Sequence, residues 1–410
     1  MLPRLFRRRA VGLLALALAA PSVVRAQSFA PYVDSEWFDD WALVCDNGRR
    51  CTAVGLPPQA VRIAESGNDA LLMIVRDPEA GAQARMEIVI PYWEGPGSGA
   101  SWTLVDGSGK PIASTLSVRF APASHVLRFR LPPTSIATLL GARDEITLAA
   151  DGKPTIALSL IGMKAALARL DAVQGRSGGV TATISKGVRP ASAVPTPPPL
   201  PVVRQAPRSQ TTSPRLKTPP ALVALSGQLS ALEICSDMAN GVPSETVGKP
   251  YRLDDRTLLW TIWCAPGSNK GFNQTDIPVA SALDGRDLRL LAFEGDPAPA
   301  KLREIMRAHA QDEANLSIPT LSGFGFDAST GVVEQSDISA TIAESRGSFG
   351  RYVWTGRQMA LIEASDVSVP AVGGSANAAP YFKIWPPYYR AIVKSTKTTR
   401  RTLRPAAPPR

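Results

Sequence analysis

Apolar and polar positions alternate most cleanly in the first half of the chain. Leu127–Leu131 reads apolar, basic, aromatic, basic, apolar, a period of two that gives a strand with one wet face. Short apolar or alternating runs at Trp41–Cys45, Cys51–Gly55, Leu71–Arg76, Arg85–Ile90, Trp102–Val105, Leu116–Phe120, Val126–Leu131, Glu145–Ala149 and Thr155–Leu160 predict further strands. The period changes twice. Ser135–Leu140 predicts a short helix, and Met163–Gln174 carries Met163, Ala166, Leu167, Leu170 and Val173 on one stripe, with Gly175 where a helix ends. The pattern is weaker later. Thr257–Cys264, Asp287–Phe293 and Tyr352–Ile362 read as strands, and Pro299–Glu313 as a helix. Many short strands with a covering helix predict a mainly β chain, β-sandwich-like, with a few helices.

Local composition divides the chain. Residues 1–26 hold a basic start, an apolar run over Ala10–Ala20 and a small-residue site ending at Ala26, the layout of a secretory signal peptide. Arg7, Arg8 and Arg9 leave general secretion and twin-arginine export both open. Beyond residue 26 no apolar run approaches the ~20 residues that span a bilayer. Gly187–Pro220 holds ten prolines in 34 residues, a proline-rich linker expected to be extended. The expected organisation is therefore a signal over 1–26, β-rich domains over 27–186 and 221–393 joined by the 187–220 linker, and a basic disordered tail over 394–410. Trp41 precedes Cys45 by the spacing at which Trp260 precedes Cys264, a faint echo between the halves.

Export decides the reading of the sulfurs. Four cysteines in an oxidising compartment favour disulfides. Three pairings are possible; Cys45–Cys51 and Cys235–Cys264 each lie within one expected domain. The first encloses Asn47-Gly48, a hairpin-turn signal. Neither pair has C-x-x-C spacing or a nearby histidine, which argues against a redox or metal site.

The net charge of +10 is unevenly spread. The signal, the stretch 172–220 and the end from Arg390 onward hold basic residues and no acids; without them 26 basic residues face 35 acidic ones, a balance of −9. The expected folded parts are thus acidic, and no specific nucleic-acid binding is expected. Hydrophobic residues make up 44% of the chain and charged residues 20%, enough to build cores.

The residues show no catalytic constellation. His125 and His309 read as structural or solvated, and no G-x-S-x-G elbow occurs. Asp39-Asp40, Asp254-Asp255 and Asp312-Glu313 are sequence neighbours, whereas acid–base pairs face each other from separate elements. Gly95–Gly99 lacks the lysine of a phosphate loop. No metal or cofactor is expected. The densest aromatic cluster is Tyr381, Phe382, Trp385, Tyr388 and Tyr389, followed by Arg390. It is a candidate ligand-binding surface for an anionic envelope glycan, a lipid headgroup or another envelope protein. The alternative is that these rings close a core and tie down the chain end.

Several segments resemble a known family. Phe38–Gly55, Ser159–Arg176 with Thr181-Ala182 and Lys186-Gly187, Leu259–Cys264, and Tyr352–Gly356 are similar to signatures of the bacterial family catalogued as domain of unknown function 1176. The opening segment also distantly resembles the invasion-associated locus B proteins. The resemblance implies export, no established activity, and six cysteines rather than four. The two absent cysteines would fall near Gly347–Gly350 and Asp366–Val369. The expectation is a periplasmic or secreted bacterial protein with a non-catalytic binding or assembly role. The alternative is an envelope hydrolase whose site is built from scattered Asp, Glu and Ser residues.

Overall fold

The computed structural model describes residues 35–58, 70–90, 100–113, 116–121, 126–151, 153–208, 216–231, 247–265, 275–294, 321–340, 344–370 and 384–395. The first half comprises β1 (Glu36–Phe38), β2 (Trp41–Cys45), β3 (Cys51–Gly55), β4 (Leu71–Arg76), β5 (Arg85–Ile90), β6 (Trp102–Asp106), β7 (Pro111–Ala113), β8 (Ser117–Ala121), β9 (Val126–Leu131), α1 (Ser135–Gly141), β10 (Glu145–Ala150), β11 (Lys153–Ser159) and α2 (Met163–Val173). One sheet runs β1-β2-β3-β4-β5-β9-β8 and a second β11-β10-β6-β7. Trp41, Ile74, Ile88 and Phe129 of the first share a core with Trp102, Leu148 and Leu158 of the second, and the predicted α2 stripe of Met163, Ala166, Leu167 and Leu170 enters the same core.

The texture of each strand reports what covers it. β9 alternates because only Leu127, Phe129 and Leu131 face inward. β2 and β4 are apolar nearly throughout because both faces are covered. Ala42, Val44, Leu71 and Met73 turn away from the first core and pack with Val367, Ile384 and Trp385 of the second half. That shared cluster joins the halves.

The second half contains β12 (Val202–Gln205), α3 (Pro220–Ala231), β13 (Tyr251–Arg252), β14 (Thr257–Ala265), β15 (Thr275–Ala282), β16 (Arg289–Leu290), β17 (Leu321–Ser322), β18 (Gly325–Asp327), β19 (Val332–Ala340), β20 (Glu344–Trp354), β21 (Met359–Pro370), β22 (Tyr389–Arg390) and β23 (Ile392–Ser395). Two five-stranded sheets result: β13-β14-β15-β16, with β17 also on β15, and β18-β19-β20-β21-β22. Leu259 and Ala280 of the first meet Val333, Tyr352 and Trp354 of the second. Helix α3 covers the far face of the first sheet through Leu222 and Leu225. The chain is mainly β, as its pattern predicts.

Several expectations need correction. Tyr352–Ile362 is not one strand. It contains the turn between β20 and β21, where Gly356 takes φ +95° and the Thr355 amide donates to Gln358 O at 3.0 Å. Asp287–Phe293 shrinks to β16, with Asp287 in the left-handed region at φ +57°. Lys394 and Ser395, expected in the disordered tail, pair in β23 with Arg204 and Gln205 of β12.

The described part of the proline-rich stretch is extended but laid on the fold. Prolines lose their amide donor and keep their carbonyl, so such a segment attracts donors from its surroundings. The Arg189 guanidinium donates to Gly175 O and Ser177 O, and that of Arg49 donates to Thr196 O. Leu200 lies over Gly48. Further on, the Ala206 amide donates to Trp354 O at 2.8 Å, and Gln205 Nε2 to Thr330 O at 2.9 Å. Basic residues of this stretch therefore belong to the folded surface, and the −9 balance does not describe it. The expected helix Pro299–Glu313, the signal, His125, His309 and residues 396–410 lie outside the described residues.

Candidate functional site

The outer face of the seven-stranded sheet changes character along its rows. Strand register places Thr52, Val75 and Arg85 in one row, Met73, Glu87 and Arg130 in the next, and Leu71, Val89, Arg128 and Arg119 in a third. The apolar end lies under residues 384–388 of the second half. Among the described residues nothing covers the basic end. Where covered and open zones meet there is a cleft of about 760 Å³. Arg50, Arg85, Arg128, Arg130 and Arg390 line it, against Asp46, Glu87 and Glu363. With Asp77 behind Arg50 and Arg85, five arginines meet four carboxylates.

Carboxylates position these arginines in pairs. Asp77, from the β4–β5 connection, contacts Arg50 Nε at 3.2 Å and Arg85 Nη2 at 2.9 Å. Glu87 contacts Arg128 Nη1 at 3.3 Å and Arg130 Nε at 3.5 Å. A carboxylate shared by two guanidiniums neutralises one and fixes both, leaving donors for an anion. The facing wall is apolar, made of Ile384, Trp385, Pro386 and Pro387. Trp385 is 3% exposed, and its indole N–H has no acceptor among the described residues.

The Cys45–Cys51 loop clamps the two walls together. Cys45 and Cys51 stand opposite each other in the β2–β3 ladder and form a disulfide. Inside the loop Asp46 Oδ1 accepts from the Gly48 amide at 2.9 Å and the Arg50 amide at 2.8 Å. The residue in the left-handed region is Arg49, at φ +63°, rather than Gly48. The turn signal located the reversal; the acceptor on Asp46 shapes it. Asp46 Oδ2 pairs with Arg390. Asn47 exchanges two hydrogen bonds with the Arg390 backbone, at 3.0 and 2.9 Å.

A second polar assembly braces the loop from behind. Gln174 Nε2, at the end of α2, donates to Arg49 O at 2.9 Å and Arg76 O at 3.0 Å. Beside it Asp171 accepts from Arg76 Nη1 at 3.1 Å and from the Thr183 and Ile184 amides at 2.6 and 3.0 Å. Arg176 is wholly buried and donates to Gln174, Thr181 and the carbonyls of Asp77–Ala80. Burial holds the pKa of Arg76 and Arg176 below the usual arginine value.

Residues 35–369 match the family described as protein of unknown function, DUF1176. The chain belongs to that family. A curated relative, the uncharacterized protein YpfG of Escherichia coli (strain K12), is 34% identical over 170 residues, 40% of this chain and 45% of the relative. The chain thus matches less than half of that relative's length. Among solved structures, the invasion associated protein B of Bartonella henselae aligns over 35% of this chain and 99% of its own, with 19% identity and a TM-score of 0.27.

In this DUF1176 chain the signature segments build scaffold. Trp41 Nε1 donates to Ser159 O at 3.0 Å, tying the opening signature to the helical one. Gly162, the residue before α2, has φ +94° and faces Phe38 O so closely that a Cβ would lie 1.8 Å from it. Trp354 Nε1 donates to Asp254 Oδ2 at 2.6 Å. The segments 347–350 and 366–369 face each other across β20 and β21, with Gly347 opposite Val367 and Ser348 opposite Asp366.

Of the candidate ligand-binding residues, Trp385 and Arg390 line the cleft. Tyr388 and Tyr389 are half-buried between sheets. Burial and the Asp366 charge push Tyr388 up to about 12; burial and Glu294 raise Tyr389. Tyr381 and Phe382 lie outside the described residues, as do Cys235 and the side chain of Cys264. The carboxylate neighbours are engaged locally. Asp39 occupies a left-handed turn, Asp40 accepts from Ser159 Oγ, and Asp254 Oδ1 accepts from the Arg256 and Thr257 amides. Asp312-Glu313 lies outside the described residues. A second pocket of about 600 Å³ holds Asp254, Asp255 and Asp287, but Asp254 spends both oxygens on the turn and on Trp354. Sequence reasoning missed Arg50, Arg85, Arg128 and Arg130. The wet face of Leu127–Leu131 carries Arg128 and Arg130; no pattern marks Arg50 or Arg85.

Proposed function

We propose that this chain is an exported, non-catalytic cell-envelope protein that holds an anionic ligand in the arginine-lined cleft where its halves meet. The observation that carries the reading is the sharing of Asp77 and Glu87, each between two arginines, beside an apolar wall. Planar guanidiniums fixed in pairs suit bidentate contact with carboxylate or phosphate oxygens. Closure by the Cys45–Cys51 loop fits a compartment where thiols oxidise. Among the described residues no helix is long and apolar enough to cross a membrane. On this reading the signal over 1–26 directs the protein to the periplasm or beyond, and the proline-rich stretch straps two β-rich units together.

Thermal melting of the mature protein with citrate, galacturonic acid or phosphate tests the reading. An increase in melting temperature is expected at low ionic strength, weaker at high salt and lost in Arg85→Gln and Arg130→Gln. No stabilisation by any anion at low salt sinks the binding claim. Recovery of the protein in the cytosol with its first 26 residues intact sinks the export claim.

A further inference from the structure

Resting on the anion-binding reading, we propose that the cleft takes a strand of acidic polysaccharide, with carboxylates repeating along the chain, rather than one small anion. The basis is a row of arginines longer than the cleft itself. Arg119 on β8 stands directly opposite Arg128 on β9, and both point to the outer face. Arg130 lies on that face two residues along β9, and Arg85 lies two residues from Glu87, the partner of Arg130 on β5. Opposed residues on adjacent strands are about 5 Å apart, and residues two apart on one strand about 7 Å. Diagonal neighbours are about 7–8 Å apart, so Arg119, Arg128, Arg130 and Arg85 form a track of arginine positions at intervals of about 5–8 Å. Arg50, held to Arg85 through Asp77, extends it. A single small anion is satisfied by one pair; a track fits a ligand whose charges repeat.

The facing wall selects among polyanions. Ile384, Trp385, Pro386 and Pro387 line it; the first three are buried and Pro387 is half-buried, so the apolar contact it presents centres on Pro387. Sugar rings carry C–H faces as well as oxygen acceptors, whereas polyphosphate has no apolar face and would leave that wall without a partner. An extended acidic peptide is disfavoured for a different reason. β5 and β9, the strands under the cleft, are already paired on both sides, so a peptide finds a backbone edge only at β8, beyond the cleft.

The test is titration calorimetry of the mature full-length protein with galacturonic acid, oligogalacturonates of increasing length, and polyphosphate of matched charge, at low ionic strength. Affinity for the uronates should rise with length and exceed that for polyphosphate. The double variant Arg128→Gln/Arg130→Gln should bind all uronates about tenfold more weakly or worse. Arg119→Gln, outside the cleft, should weaken only the longer oligomers. These side chains are partly or fully exposed, and unchanged melting of each variant verifies folding. Equal affinity for monomer and oligomer overturns the strand and leaves the anion cleft standing. Polyphosphate binding as tightly as uronate overturns the choice of glycan. Absence of binding by every anion, wild type and variants alike, overturns both readings.

Discussion

Replacing Asp171 by asparagine removes the carboxylate that faces two buried guanidiniums. Asp171 is 1% exposed, Arg76 5% and Arg176 0%. Two positive charges then remain in a space closed to water, and breaking a buried pair by removing one partner costs about 3–5 kcal/mol. The hydrogen bonds point to the upper end of that range. Asp171 Oδ1 serves Arg76, and Oδ2 accepts from two backbone amides. Asparagine can keep an acceptor toward one side only; its amide group then meets further donors on the other. With a urea dependence of about 2 kcal/mol per molar, a loss of about 4 kcal/mol lowers the denaturation midpoint by about 2 M. Tryptophan fluorescence during urea titration reads this directly, since Trp41 shares a core with α2. A thermodynamic cycle over Arg76→Ala and Asp171→Ala should give a coupling above about 1 kcal/mol. A midpoint shift under about 0.5 M, or no coupling, would refute the reasoning, because the ions would then have to be solvated.

Three other outcomes follow from the structure. Replacing both Cys45 and Cys51 by alanine should cost about 2 kcal/mol by the loop-entropy relation, measured as a fall in melting temperature relative to the oxidised wild type. Tyr388 should resist ionisation until about pH 12; because its folded pKa is raised, the stability it contributes is complete below pH ~10 and is lost as pH rises from about 10 to about 12. Absorbance at alkaline pH and denaturation of Tyr388→Phe, which should lack that part of the loss, check this. Gly162→Ala should destabilise by more than about 2 kcal/mol in thermal melts, since the added carbon meets Phe38 O and the backbone is left-handed; a neutral change would mean the α2 start is placed wrongly.

The fold was legible where one side of a strand is wet or a stripe is sharp. β9 and α2 have the boundaries their periodicity implies, within a residue, because burial on one face leaves a period in the sequence. Helix α3 (Pro220–Ala231) is apolar on most sides and left no stripe. The β20–β21 turn was hidden between two apolar runs, with Gly356 as its lone marker. The cleft could not be read from spacing. Arg50, Arg85, Arg130 and Arg390 come from separate elements, and Asp46 meets Arg390 across 344 positions of sequence. Aromatic density did single out Trp385, although what that ring mostly does is pack against the apolar rows of the first sheet.

Hydrogen–deuterium exchange with and without an anionic oligosaccharide tests the cleft most directly. Slower exchange is expected together in β5, in β9 and in residues 384–390, the elements that form its two walls. Protection confined to the second pocket, around Asp254–Thr257 and Asp287–Arg289, or no protection at a saturating ligand concentration, would contradict it.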